Sequence, residues 1–116
     1  MRYNQYIVYG QQLYKQNCSN CHQEDGTGLG KVIPPLVQAD YMLNELGRTA
    51  CIIKYGLEGE IEVNGTDYNQ IMPAHDDLTA LEIAQIITYI GNSWGNEAGY
   101  ISVKETESYL DSCRVY

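Results

Sequence analysis

Residues 18–22 read Cys18-Ser19-Asn20-Cys21-His22, and no other stretch limits the chain so strongly. C-x-x-C-H is the pattern of covalent haem attachment. Two thiols three positions apart can form thioethers to the two vinyl groups on one edge of a macrocycle. The residue that follows, His22, is then held under the iron and offers a ring nitrogen as the proximal ligand. Two other uses of a Cys pair fit poorly. A thioredoxin-like redox pair wants a βαβ setting, and no parallel α/β unit is legible. A zinc site needs a second pair of ligands at suitable spacing, and the remaining cysteines, Cys51 and Cys113, stand alone and far apart.

The chain has 116 residues, enough for about one domain. A core of this size is only marginally stabilised by burial, and an apolar cofactor would add surface for it to wrap. The net charge of −8 argues against nucleic acid or an anionic membrane surface as a partner and favours a protein with a basic docking patch. No apolar run approaches the ~18 residues of a membrane span. The start, Met1-Arg2-Tyr3-Asn4, lacks the apolar stretch of an export signal, so an exported form implies a leader or anchor lying outside this sequence. Eleven Tyr and no Phe imply that Tyr does the packing work of Phe at half-buried positions.

A first helix is expected from about Asn4 to Asn17, with Ile7, Gly10, Tyr14 and Cys18 at helical spacing. Gly10 inside it costs about 1 kcal/mol against Ala and so implies a packing reason. Gly26-Thr27-Gly28-Leu29-Gly30 is too glycine-rich for regular structure. Short helices are expected near Ala39–Leu46 and Arg48–Tyr55, with Gly47 and Gly56 as punctuation. Glu60 to Tyr68 alternates around Asn64-Gly65, which predicts a two-residue hairpin. Thr79-Ala80-Leu81-Glu82 is a capping box. Ile83, Ile86, Ile87 and Ile90 follow at i, i+3, i+4 and i+7, and Gly91 reads as the stop. Residues 1–95 make the main domain. Residues 96–116 are a polar C-terminal extension packed on it, with a short helix near Ser102–Leu110. If the haem takes two cysteines, one disulfide, Cys51 to Cys113, is open to the chain. The alternative is a buried free Cys51 and an exposed Cys113.

Met72 lies 50 residues after His22 and is followed by Pro73, which fixes φ and stiffens its loop. Met42 reads as a core residue. His75 is the other His, expected at the surface near the haem edge, with a second imidazole ligand as its less favoured role. With Pro34-Pro35-Leu36 these features complete a set. The chain resembles class I monohaem cytochromes c over roughly residues 4–95: Gly10 through His22, Pro34 to Leu36, Met72-Pro73 and the Thr79–Ile90 helix stand in the family's order. Gly47-Arg48, the stretch Tyr55 to Val63 and Tyr68 to Met72 further resemble soluble cytochromes that donate electrons to ba3-type haem-copper oxidases.

The resemblance implies an all-α cytochrome c fold. Its first and last helices cross at Gly10, short helices surround the haem, and a small β-hairpin precedes the Met loop. It implies Met72 as the distal ligand to iron opposite His22. It also implies a Pro carbonyl, Pro34 or else Pro35, bonded to the other ring nitrogen of His22. Arg48, Tyr55, Tyr68 and Trp94 become candidates for contacts with the propionates or the macrocycle. The expected role is one-electron transfer to a terminal oxidase or similar partner, such as a quinol–cytochrome c reductase or a reductase domain. The expected form is a monomer in the periplasm or otherwise outside the cytoplasm, with no catalysis of its own. Rival readings are a domain excised from a larger redox enzyme, or a haem sensor or peroxidase in which Met72 leaves the iron.

Overall fold

The structure is a computed structural model and describes residues 2–113. Six helices and one hairpin are arranged in chain order: α1 Arg2–Asn17, α2 Ser19–His22, α3 Asp40–Leu43, α4 Leu46–Tyr55, β1 Ile61–Val63, β2 Thr66–Tyr68, α5 Ala80–Ile90 and α6 Val103–Asp111. This is the mainly helical architecture with a small antiparallel hairpin that the sequence predicts. Among the described residues no helix is long and apolar enough to cross a membrane.

The core is built where α5 meets the other helices. Ile83, Ile86, Ile87 and Ile90 are all essentially buried, together with Tyr14 of α1 and Ile53 of α4. α5 begins on the reciprocal cap read from sequence: Thr79 Oγ1 accepts from the Glu82 N–H, and Glu82 returns the bond to the Thr79 N–H. Helix α1 crosses α5 at Gly10. A Cβ there would overlap the Gln85 carbonyl oxygen and come within 2.7 Å of Tyr89 Cβ. The glycine is therefore the condition for that close crossing. The inner stripe of α1 is Tyr6, Gly10 and Tyr14, not the stripe through Ile7. Ile7 is only half-buried, and Tyr6, four positions before Gly10, takes the inner place instead.

The hairpin turns at Asn64-Gly65, both with positive φ, as a two-residue turn of this composition requires. Its register pairs Ile61 with Tyr68, Glu62 with Asp67 and Val63 with Thr66. Asp40 and Asn64 cap one another: each backbone N–H donates to the other's side-chain oxygen, at 3.0 and 2.8 Å. That exchange ties the turn to the start of α3.

Two glycines depart from their expected roles. Gly47 lies inside α4 rather than punctuating it. It is there because a Cβ would come within 3.0 Å of the Tyr109 ring of α6. Gly91 does end α5, but with φ −73° rather than in a left-handed turn, and its missing Cβ leaves room for Ala98.

The extension is woven into the core up to residue 113, and residues 114–116 lie outside the described residues. Fully buried Thr88 of α5 exchanges two hydrogen bonds with Ile101, donating to its carbonyl at 3.0 Å and accepting from its N–H at 3.1 Å. Asn92 bonds Gly99 in the same reciprocal way. Helix α6 starts on a second capping box, Ser102 with Glu105, and buries Thr106 completely. The Sγ atoms of Cys51 and Cys113 are joined, with Cα atoms 5.6 Å apart.

Candidate haem site

Helix α1 leads directly into the attachment motif. The Cys18 N–H donates to the Tyr14 carbonyl, and the His22 N–H donates to the Cys18 carbonyl, so one helical turn carries both thiols and the imidazole. Cys18 and Cys21 are free thiols. Before attachment the Cys18 thiol is pushed up to about 12, first by burial and then by Cys21. Tyr14 is buried, and its hydroxyl donates to the Gln23 carbonyl at 2.6 Å. Burial holds that phenol above its ordinary value.

His22 is nine-tenths buried. Its Nδ1 lies 3.0 Å from the Pro34 carbonyl oxygen. A carbonyl only accepts, so Nδ1 carries the proton and Nε2 presents its lone pair. Burial holds the imidazole below its ordinary value, and the Pro34 bond opposes this in part. The ring is therefore kept neutral, in the one tautomer that can ligate a metal through Nε2. Of the two prolines, Pro34 makes the bond and Pro35 lines the same cleft.

That cleft is lined almost wholly by apolar side chains, as cofactor sites commonly are. Every element but β2 and α6 contributes to its wall: Tyr14 from α1, Cys18 and the α2 residue His22, the Pro34–Leu36 segment, Tyr41 and Met42 from α3, Thr49, Ile52 and Ile53 from α4, Ile61 and Val63 from β1, and Ile86 and Ile90 from α5. Met72 lines it too. The Met72 backbone is set by a pair of hydrogen bonds with Leu57, both at 3.0 Å. A covalently bound haem fits this set of residues. The wall is nearly all apolar, two free thiols stand at the motif, and a neutral imidazole and a thioether share one cavity.

None of the four expected macrocycle or propionate contacts lines the cleft. Tyr55 is 60% exposed at the end of α4 and borders a separate groove with Ile71 and Glu58. Tyr68 is buried in the core, on the same face of the hairpin as its cross-strand partner Ile61, but it does not line the cleft. Trp94 packs on Gly26, whose Cβ position lies 2.6 Å from the ring. Its ring centroid is 5.5 Å from that of Tyr14 and 5.8 Å from that of Tyr89, so it forms a layer behind Tyr14. Arg48 stands behind Tyr41 rather than in the wall. Its guanidinium carbon is 3.6 Å from the Tyr41 ring centroid, it donates to the Tyr41 carbonyl at 2.5 Å, and it pairs with Glu45 at 3.3 Å. Its Nε is buried without a partner. His75 is half-buried and bonded to Asn17 rather than free at the surface.

Sequence reasoning missed most of the wall. Ile86 and Ile90 follow from the helical stripe and Ile61 and Val63 from strand alternation, so a signal existed for these four. It also missed Asn96, which is buried. The Asn96 amide nitrogen donates to the Leu36 and Ile90 carbonyls at 3.0 and 2.9 Å. Its oxygen accepts from the Gln38 N–H at 2.7 Å. The side chain thereby ties the loop carrying Pro34 to the end of α5.

The family model "Cytochrome c" matches residues 7–94. A cytochrome c-552 of Thermus thermophilus is 38% identical over 91 residues, covering 75% of this chain and 69% of the relative. A second cytochrome c-552 from that species matches equally, with 61% of its length covered. The cytochrome c subunit of a quinone alcohol dehydrogenase from Gluconacetobacter polyoxogenes is 29% identical over 108 residues. That match covers 90% of this chain but only 23% of the subunit. With its family model, its relatives and its cleft in agreement, the chain belongs to the cytochrome c family as a class I, single-haem electron-transfer protein with covalently bound haem c.

Proposed function

We propose that this protein carries single electrons between larger redox proteins, with Cys18 and Cys21 attaching the haem and His22 and Met72 ligating its iron. The observation that carries the reading is the His22–Pro34 hydrogen bond in an apolar cleft that Met72 also lines. When bound, haem c supplies a one-electron ferric/ferrous couple. The chain's residues set the conditions for it. Pro34 fixes the tautomer of His22 and raises its basicity. The apolar wall excludes water and disfavours added charge. Thioether ligation by Met72 raises the potential relative to two imidazoles. Arg48 acts on the site through Tyr41, a cleft residue that it holds by its guanidinium and by its bond to the Tyr41 carbonyl. Nothing comparable retains Tyr55, Tyr68 or Trp94 as haem contacts.

With His22 and Met72 both holding the iron, no coordination site would be left for a substrate, which favours a carrier over an enzyme. The proposed acceptor is a terminal oxidase of the ba3 type, and the proposed donor a quinol–cytochrome c reductase or dehydrogenase. Docking is brief and small in area, on the outer side of the cytoplasmic membrane, with the protein as a monomer. A second reading has one supporting observation. The match to dehydrogenase cytochrome subunits covers nearly all of this chain and under a quarter of theirs, as for one cytochrome domain within a larger enzyme.

The test is an optical spectrum of the oxidised and reduced protein. A sharp reduced α-band with a far-red sulfur-to-iron band is expected. A haem spectrum lacking the far-red band at neutral pH would remove Met72 from the iron and bring the sensor or peroxidase reading forward.

A further inference from the structure

The segment between β2 and α5 carries Met72 yet has no helix or strand of its own. Its hydrogen bonds come from elsewhere in the molecule. Beyond the Leu57 pair, the His75 N–H donates to the Ile53 carbonyl at 3.0 Å. Lys54 Nζ donates to the carbonyls of Asp76 and Leu78, both at 2.8 Å. The His75 ring reaches the Asn17 carbonyl with Nε2 at 3.2 Å. Since that carbonyl only accepts, Nε2 holds the proton, and Nδ1 is left buried without a partner. A buried ring nitrogen without a partner is unfavourable, so the Asn17 bond is what this placement secures.

These contacts have a shared direction. Asn17 ends α1 and immediately precedes Cys18. Lys54 lies on α4 directly after Ile52 and Ile53, which line the haem cleft. The Met72 loop is thus strapped on one side to the attachment segment and on the other to the cleft wall. A thioether is a weak, neutral ligand, and its occupancy depends on the effective concentration at which its loop presents it.

We infer that Lys54 and His75 are positioning residues that hold the Met72 loop closed and set the rate at which Met72 leaves the iron. The inference rests on the reading of Met72 as an axial ligand. It is tested on the ferric haem protein by mixing with imidazole. At saturating imidazole the binding rate reports the departure of Met72, a readout independent of electron-transfer activity. Lys54→Met removes the donors and keeps the stem. His75→Ala removes the ring, and His75→Gln restores an amide donor for Asn17. Ser102→Ala, at the distant α6 cap, lowers stability without touching the loop.

Lys54→Met and His75→Ala are each expected to raise the limiting rate by about fivefold to tenfold, the worth of one or two hydrogen bonds. His75→Gln should return most of the way to the unaltered protein, and Ser102→Ala should leave the rate unchanged. Limiting rates for Lys54→Met and His75→Ala within about twofold of the unaltered protein would overturn the inference. So would an equal rise in Ser102→Ala, which would show that general destabilisation suffices. Two variants on two elements keep the test open should one fail to fold. Absence of the far-red band in the unaltered ferric protein would instead remove Met72 as ligand. Its presence with unchanged rates would strike out the strap alone.

Discussion

His22 shows what one buried residue asks of its surroundings. Burial lowers its proton affinity, and the Pro34 carbonyl fixes which nitrogen keeps the remaining proton. The pH consequence has a definite sign. The folded chain favours the neutral ring, so this group costs the fold nothing above the ordinary value of 6.5. Stability is lost as pH falls below 6.5 toward the lowered folded-state value, and the proposed ligation of an iron by Nε2 would act in the same direction. An acid titration followed by the haem absorption should therefore show no His22 transition between about pH 6.5 and 8. A transition inside that window would mean that the ring is not held neutral. Gly10 is the steric counterpart. Gly10→Ala places a methyl group on the Gln85 carbonyl and against Tyr89. It should cost about 1–3 kcal/mol in denaturant unfolding despite the higher helix propensity of Ala. An unchanged or raised midpoint would show that the helices can separate at no cost.

At the scale of elements, the disulfide is the main constraint on α6. It links residues 62 apart in sequence, and closing such a loop is worth about 4 kcal/mol in the chain-entropy model. Cys51→Ala with Cys113→Ala should lower stability by an amount of that order and release the end of α6. The check is denaturant unfolding together with hydrogen exchange of the α6 amides. A loss under about 1 kcal/mol would mean that α6 stays down through Thr106, Tyr109 and Leu110 alone.

Elements whose signals are local were legible in the sequence. The Thr79 capping box, the Ile stripe of α5 and the Asn64-Gly65 turn each depend on neighbours in the chain, and each appears as expected. The attachment motif is local in the same sense. What could not be read depends on contacts between distant segments. The opposite partners of Gly47 and Gly91, Tyr109 and Ala98, lie in the extension. Trp94 is drawn from the cleft by its packing on Tyr14 and Gly26, and Tyr68 is taken up by the core. Asn96 finds its partners near residues 36 and 90, and no local pattern announces a side chain that joins two segments so far away. The second capping box, Ser102 with Glu105, did carry a local signal, and it places the start of α6 one residue after Ser102.

For the molecule as a whole, a net charge of −8 on 116 residues gives the protein a field that reaches a Debye length of about 8 Å at physiological salt. The association rate with a basic partner should fall steeply as ionic strength rises. A rate with the oxidase that stays flat across the salt range would point instead to apolar docking, for which the exposed Ile71 beside Met72 is a ready contact. The fold also contains an unequal division of restraint. The attached haem would anchor the chain at residues 18–22, and the disulfide closes residues 51 to 113 into a ring. Between them, residues 23–39 have neither a covalent tie nor a helix, and they present the Pro34 carbonyl to His22. Asn96 latches this stretch to the end of α5, and it lies just beyond residue 94, where the match to the family model ends. A fragment ending at Trp94 would keep both thiols, His22, Met72 and Pro34. It would nevertheless be a leaky version of the same site, opening first beside the proximal ligand, because the piece that seems dispensable holds the bolt.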